Sequence, residues 1–280
     1  MKKLRVVIIG WTSKFWQLWK KYFESKWHSV LVSTNSTQIK PKEAVCKWDI
    51  IIISVPIRYT VEVIKELIPF IWENKLLIDF TWIKIETKKQ LLNYTKWEIV
   101  SIHPMFGPWI SSLKNQNISY DPIVVWEKWD YLHNLFENDW ANLICLEWKK
   151  HDELVSIVQS TVHIMNLLLW HILKKRWIKI NELMSLSTPN SRMQLCILSR
   201  FLNQNASLYT DMQMYNDLYK KEILPDIKDY FDLVWDLINN KKHSEFENEF
   251  NEIKTYIWEG FLQKAFKITS ELDKTLKKDF

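Results

Sequence analysis

Short β-branched runs alternate with amphipathic stretches through the first half of the chain, and amphipathic stretches alone fill the second. Residues 4–10 (LRVVIIG) form an apolar run that stops at a glycine, the mark of a buried strand. Residues 13–26 place Phe15, Leu18, Trp19 and Phe23 at helical spacing. Further strands are predicted at 28–33, 49–57, 76–80, 98–103, 122–126 and 141–146. Strands alternating with helices mean βαβ units, a largely parallel sheet and helices on both of its faces. From His151 onward the pattern is helical with no convincing strand. The reading is α/β: a Rossmann-like, doubly wound domain over 1–150, then an all-α domain over 151–280.

Composition changes this picture at one point. The chain has 280 residues and a formal net charge of +5, spread along its length. That spread is only a weak argument for nucleic acid or a membrane surface, and neither is expected as partner. No uninterrupted apolar run approaches the roughly 18 residues of a membrane span. The N-terminus runs straight into a strand, so no secretory signal is expected. Cys46, Cys145 and Cys196 are far apart, which suits a reducing cytoplasm. The anomaly is three glycines against seventeen tryptophans. Together they take about 7% of the chain, the share usual for glycine alone. Some bacterial lineages read UGA as glycine, and another code reads it as tryptophan. Many tryptophans here are therefore expected to stand where glycine belongs.

The first strand leads into Gly10, Trp11, Thr12, Ser13, Lys14, Phe15 and Trp16, and then a helix. A dinucleotide turn needs glycine for its tight bend, for backbone approach to pyrophosphate and for helix–strand packing. With glycine at positions 11 and 16 the turn fits in part, since Ser13 still holds the middle position. With indoles there it reads as an ordinary βα turn. The second strand ends at Ser33, Thr34, Asn35 and Ser36, with Lys40 and Lys42 nearby, and lacks the acid that binds the NAD ribose. NADP is therefore open beside NAD. His103, Pro104, Met105, Phe106, Gly107 and Pro108 follow a strand directly. Ligands bind at that end of a doubly wound sheet. On spacing alone His103 reads as a structural histidine or as a base.

Across these residues the chain resembles the prephenate dehydrogenases. The resemblance is carried by the turn after Gly10, by Ser54, Val55 and Pro56, by Asp79 leading to Lys84, and by the string from His103 to Pro108. It continues through His151, Asp152, Gln159 and His163, then Ser187, Thr188, Pro189, Arg192, Arg200 and Tyr209. It is strongest to the dehydrogenase half of bifunctional chorismate mutase–prephenate dehydrogenases, with the mutase half expected to be missing. Trp11, Trp16, Trp109, Trp140 and Trp170 fall where relatives commonly carry glycine. Trp82 falls where many carry a serine that holds the catalytic histidine.

The resemblance implies a cytoplasmic, homodimeric enzyme that converts prephenate to 4-hydroxyphenylpyruvate with NAD, or NADP. It implies that His103 accepts the proton of the substrate hydroxyl, that Arg200 grips a carboxylate and that Lys84 adds positive charge. His151, Gln159, His163, Arg192 and Tyr209 would line the substrate site. His151, Gln159 and His163 are expected on one side of a helix, and no metal is expected. The cofactor would meet Gly10, Trp11, Thr12, Ser13, Lys14, Phe15, Trp16, Thr34, Ser54, Val55 and Pro56. Three other readings stand beside this one: an arogenate dehydrogenase, a dinucleotide sensor without chemistry if the tryptophans are real, and a helical interaction protein with a decayed nucleotide domain.

Overall fold

The computed structural model describes residues 3–10, 14–94 and 96–279. Seven strands form one sheet: β1 (Arg5–Gly10), β2 (Ser29–Ser33), β3 (Ile50–Ser54), β4 (Leu76–Asp79), β5 (Glu98–Pro104), β6 (Asn117–Val124) and β7 (Asn142–Cys145). Their order is β2-β1-β3-β4-β5-β6-β7. All neighbours run parallel except β5 and β6, which pair antiparallel. Strand β6 begins earlier than the predicted 122–126. Its polar Ser119 and Asp121, with Pro122, hide the apolar alternation of a half-buried strand.

Two apolar layers follow from the alternation of side chains along each strand. Val6, Ile8, Ile50, Ile52, Ile78 and Ile102 face α1 (Lys14–Ser25), which contributes Trp19 and Phe23, and the helix Glu127–Asn138, which contributes Leu132 and Phe136. Val7, Ile9, Ile51, Ile53 and Ile99 face α2 (Pro41–Lys47) and α3 (Ile57–Leu67), which contribute Val45, Ile64 and Leu67. Helix α4 (Ile85–Leu91) precedes β5, and Glu127–Asn138 is α5. The parallel register brings Gly10 level with Ser54, Ile53 with Asp79 and Asp79 with Ser101, so the carboxyl ends of four strands share one edge.

Beyond β7, among the described residues, the chain is helical: α6 (Trp148–Val155), a π-helical turn (Ser156–Thr161), α7 (Val162–Lys175), α8 (Ile180–Ser185), α9 (Pro189–Leu202) and α10 (Ala206–Met214). After a second π turn come α11 (Leu224–Asn239), α12 (His243–Tyr256) and α13 (Glu259–Asp279). The chain divides into two units, Met1–Val155 with Thr210–Asn216, and Ser156–Tyr209 with Asp217–Phe280. The boundary falls five residues past 150, and a short return segment joins the first unit. The guanidinium of Arg58 on α3 forks onto Asp211 of that segment, with Nε 2.9 and 3.0 Å from the two carboxylate oxygens. Helical residues Trp148–Lys175 are also long and apolar enough to cross a membrane by length and composition. The stretch contains scattered polar residues, and core helices of soluble proteins meet the same length and composition.

Three helix ends bear on the tryptophan anomaly. Trp27, Trp140 and Trp177 have φ of 66°, 61° and 56°, the left-handed region. Each directly follows the last residue that caps α1, α5 or α7. The amide of His28 donates to Phe23 and that of Trp27 to Glu24; Ala141 donates to Phe136 and Trp140 to Glu137; Ile178 donates to Leu173 and Trp177 to Lys174. This crossed pair of hydrogen bonds is the Schellman motif, whose left-handed position usually carries glycine. None of the three glycines has a positive φ. The three indoles project into water, at 86%, 71% and 90% exposure. The indole N–H groups of Trp16, Trp19, Trp97 and Trp170 are buried without a hydrogen-bond partner, although a buried indole N–H usually finds one.

Candidate active site

The carboxyl ends of β4 and β5 set a chain of buried polar groups. His103, next to last in β5, is buried, as are His151 and Asp152 on α6. Nδ1 of His103 lies 3.0 Å from Nε2 of His151, and Nδ1 of His151 lies 2.8 Å from a carboxylate oxygen of Asp152. Asp152 also accepts the backbone N–H groups of Lys84, at 3.0 Å, and Ile85, at 2.9 Å, where α4 begins. A carboxylate there answers the unpaired amides and positive dipole of the helix start.

Lys84 lies beneath this chain. Its ammonium is buried, 3.1 Å from Asp79 and 2.8 Å from the carbonyl oxygen of Ile102, the residue before His103. Asp79 also accepts from Ser101 Oγ. This corrects the expectation that Lys84 offers its charge to a substrate: that charge is spent on Asp79 and on holding the strand that carries His103. Burial pushes the Lys84 ammonium below its ordinary range, against the pull of Asp79. Burial first, then the nearby His151 and Lys84, push His103 well below the usual histidine range, so its imidazole is neutral at neutral pH. The Trp82 ring meets His103 edge-on at 6.3 Å, where many relatives were expected to place a serine.

A second group lies in the other unit. His163 on α7 stacks on Phe201 at 4.9 Å, and Tyr209 meets both rings edge-on, at 4.6 and 4.4 Å. Burial lowers His163 to about 4. It also raises the Tyr209 phenol, which nearby Arg200 opposes. Arg200 is exposed and makes no ion pair among the described residues, so its guanidinium is open to a carboxylate. Arg192 differs. It bonds Asp273 on α13 at 2.6 Å and the carbonyl of Ser187 at 3.3 Å, and so braces helices. That corrects the substrate-binding expectation for Arg192.

The single helix face expected for His151, Gln159 and His163 is also corrected. A π turn closes i→i+5 and breaks α-helical spacing. Gln159 lies inside that turn, His151 bonds His103, and His163 stacks on Phe201. Sequence reasoning passed over Asp152, Asp79 and Ser101 as site residues. An acid closing the apolar run of β4 was the available signal for Asp79.

A cavity of about 270 Å³ opens at the ends of β1 and β2, lined by Gly10, Ser33, Thr34, Asn35, Lys40, Lys42 and Val55 among others. A Cβ at Gly10 would come 2.3 Å from the carbonyl oxygen of Ser54, so only glycine fits where β1 meets β3. Thr34 anchors a tight turn: its amide binds Thr37 Oγ1 at 2.9 Å, and its hydroxyl meets that of Ser36 at 2.8 Å. No carboxylate directly follows β2 in the chain, but Glu66 of α3 also lines the cavity and pairs with Lys42 at 2.8 Å, while Lys40 donates to the carbonyl of Asn35 at 2.8 Å. Pro56 sits at the start of α3. Lys14, Phe15 and Trp16 begin α1, and the rings of Phe15 and Trp16 pack on the core. Trp11, Thr12 and Ser13 lie outside the described residues.

Residues 29–119 match the model of the prephenate dehydrogenase nucleotide-binding domain, and residues 147–252 that of the prephenate dehydrogenase dimerization domain. The chain belongs to the prephenate dehydrogenase family. It is 29% identical to a probable arogenate/prephenate dehydrogenase of Methanocaldococcus jannaschii, over 98% of this chain and 67% of that protein. It is 25% identical to the T-protein of Haemophilus influenzae, over 94% of this chain and 69% of that protein. Its fold is similar to the crystal structure of A. aeolicus prephenate dehydrogenase in complex with hydroxyphenyl propionate and NAD+, with a TM-score of 0.66, 13% identity and coverage of 91% and 98% of the two chains. Synechocystis arogenate dehydrogenase is similar too, with a TM-score of 0.60, 16% identity and coverage of 91% and 100%.

Proposed function

We propose that this protein oxidises and decarboxylates prephenate to 4-hydroxyphenylpyruvate. The observation that carries the reading is His103: a buried, neutral imidazole at the carboxyl end of a strand, in a chain of this family. His103 takes the proton from the C4 hydroxyl as that carbon becomes a carbonyl. The C4 hydride leaves with its electron pair, the bond to the ring carboxylate breaks to release CO2, the electrons of that bond complete the aromatic ring, and His103 returns its proton to the phenolate oxygen so formed. NAD, when bound, supplies the hydride acceptor. Gly10, Ser54 and Val55 would admit its backbone-hugging part, with Thr34, Lys40 and Lys42 at the ribose end. The missing ribose acid leaves NADP acceptable. Arg200 holds a substrate carboxylate through its planar fork.

Arogenate differs only by an amine in place of the side-chain keto group, and relatives named for either substrate match this chain. Prephenate is the leading substrate and arogenate the second. Exposed apolar residues of the C-terminal helices, Trp235 and Phe250 among them, suit pairing with a second copy through the segment that matches the dimerization model. A cytoplasmic location follows from this reading, with no part for nucleic acid or membrane.

The left-handed tryptophans support this enzyme over a dinucleotide sensor without chemistry. Their backbone favours glycine, which supports glycine at the corresponding codons in the native host. Trp11 and Trp16 would then be glycine too, and the cofactor turn would be open. The test compares two proteins, one made as written and one with glycine at positions 11, 16, 27, 140 and 177. Prephenate-dependent reduction of NAD, with matching CO2 release, is expected from the glycine form. If neither form oxidises prephenate or arogenate while both bind NAD, the sensor reading replaces this one.

A further inference from the structure

We infer that Asp152 and His151 form a positioning relay that fixes the tautomer of His103 so that its Nε2 carries the lone pair. The inference rests on the proposed role of His103 as the base. A carboxylate only accepts hydrogen bonds, and Asp152 already accepts the amides of Lys84 and Ile85. The bond of 2.8 Å to His151 Nδ1 therefore requires a proton on that nitrogen. A neutral His151 then has its lone pair on Nε2. The bond of 3.0 Å to His103 requires His103 Nδ1 to donate. That leaves Nε2 of His103 unprotonated and able to accept. The direction of the whole chain is set at its far end, by the carboxylate at the start of α4.

The groups around His103 agree with this order. Lys84 and Asp79 lie below, with Asp121 further along β6 and paired to Lys88 at 2.6 Å. Ser119 Oγ reaches the backbone carbonyl of His103 at 3.4 Å, and the Trp82 ring lies T-shaped to the imidazole at 6.3 Å. Among the described residues, the His103 ring hydrogen-bonds His151. Where a serine was expected to hold the histidine, a second histidine anchored on a carboxylate does so. The relay also answers a cost: a neutral imidazole in a dry site has two tautomers, and only one presents a base. Fixing the tautomer by the partner of the other nitrogen is the established use of such histidine contacts.

The test is ¹⁵N NMR of histidine-labelled protein without ligand near pH 7, with steady-state kinetics of variants beside it. In the unsubstituted protein, His103 Nδ1 should show the shift of a protonated ring nitrogen and Nε2 that of a bare one. Asp152→Asn, which can turn an amide donor toward His151, should mix the two tautomers. It should lower kcat by roughly 10–100-fold, the usual effect of losing a ligand-orienting partner, with KM for prephenate little changed. His151→Gln keeps an acceptor for His103 Nδ1 and should retain more activity than His151→Leu. A protonated Nε2 in the unsubstituted protein overturns the relay, whatever the variants do. So does an Asp152→Asn protein with unaltered His103 shifts and kcat. Because the NMR result needs no turnover, failure of the relay is separable from failure of the proposed reaction.

Discussion

Replacing Trp177 with glycine should stabilise the protein, although it removes the largest side chain there is. Trp177 sits at φ 56° with its indole 90% exposed. A left-handed conformation costs an L-residue roughly 1–2 kcal/mol. Glycine removes that cost but returns about 0.4–1 kcal/mol of freedom to the unfolded chain. The buried tenth of the indole is worth only about 0.5 kcal/mol at the usual area coefficient. The balance is a gain of about 0.5 kcal/mol. Trp177 lies in the other unit from Trp27 and Trp140, so its effect should add to theirs. Trp27 and Trp140 each adjoin a member of the ion pair between Lys26 and Asp139, at 2.6 Å, so those two need a double-mutant cycle. Trp177→Gly alone should raise Tm by about 1–2 °C, at about 2–4 °C per kcal/mol for a chain of this order, and Trp27 and Trp140, with more of the indole buried, should gain less. Thermal and urea unfolding of Trp177→Gly and Trp177→Ala make the assay. Alanine keeps the Cβ and the left-handed cost, so only glycine should gain. Trp72, 66% exposed and without a positive φ, should lose stability on replacement by glycine. If Trp177→Gly is no more stable than Trp177→Ala, the backbone argument for glycine at these positions is wrong.

Because burial above all, with buried Lys84 nearby, holds His103 well below the usual histidine range, kcat/KM for the substrate should stay level as pH falls through 6.5; an acid limb at 6.5 would contradict this assignment. His163 is lowered to about 4 when folded, so between pH 6.5 and about 4 the unfolded chain binds a proton that the folded one refuses. Its contribution is complete above 6.5 and is lost as pH drops, so the urea midpoint should fall less steeply over this range in His163→Phe than in the parent. Thr34→Asp should shift the ratio of kcat/KM values toward NAD and away from NADP, since a carboxylate there would accept the ribose hydroxyl and repel a 2′-phosphate; an unchanged ratio would remove Thr34 from the cofactor site.

The sheet was legible because its strands are unbroken β-branched runs: Val6 to Ile9 and Ile50 to Ile53 announce burial on both faces. Strand β6 was misplaced because Ser119, Asp121 and Pro122 interrupt its alternation, as suits a half-buried antiparallel neighbour. His103 was legible from its place after a strand, but its partner was not. His151 and Asp152 are adjacent in a helix, where successive side chains point apart, so their bond depends on how α6 packs against the start of α4. Helical spacing misled at His163, because a π turn has no signature in apolar periodicity. Lys84 and Arg192 were read as charges for a ligand, and the fold gives each an internal carboxylate. The glycine deficit was visible in composition, whereas the helix ends that need glycine emerge only from the backbone.

The most direct measurement of the central claim is steady-state kinetics of His103→Asn and Arg200→Gln, made with glycine at the five tested tryptophan positions. Asparagine keeps the shape of the site but cannot take the hydroxyl proton, and a positioned base contributes about 10²–10⁴-fold. His103→Asn should therefore lose at least a hundredfold in kcat with a KM for prephenate near that of the parent. Arg200→Gln loses a charge-assisted fork and should chiefly raise KM. A His103→Asn enzyme that keeps parental kcat across neutral pH would contradict the account.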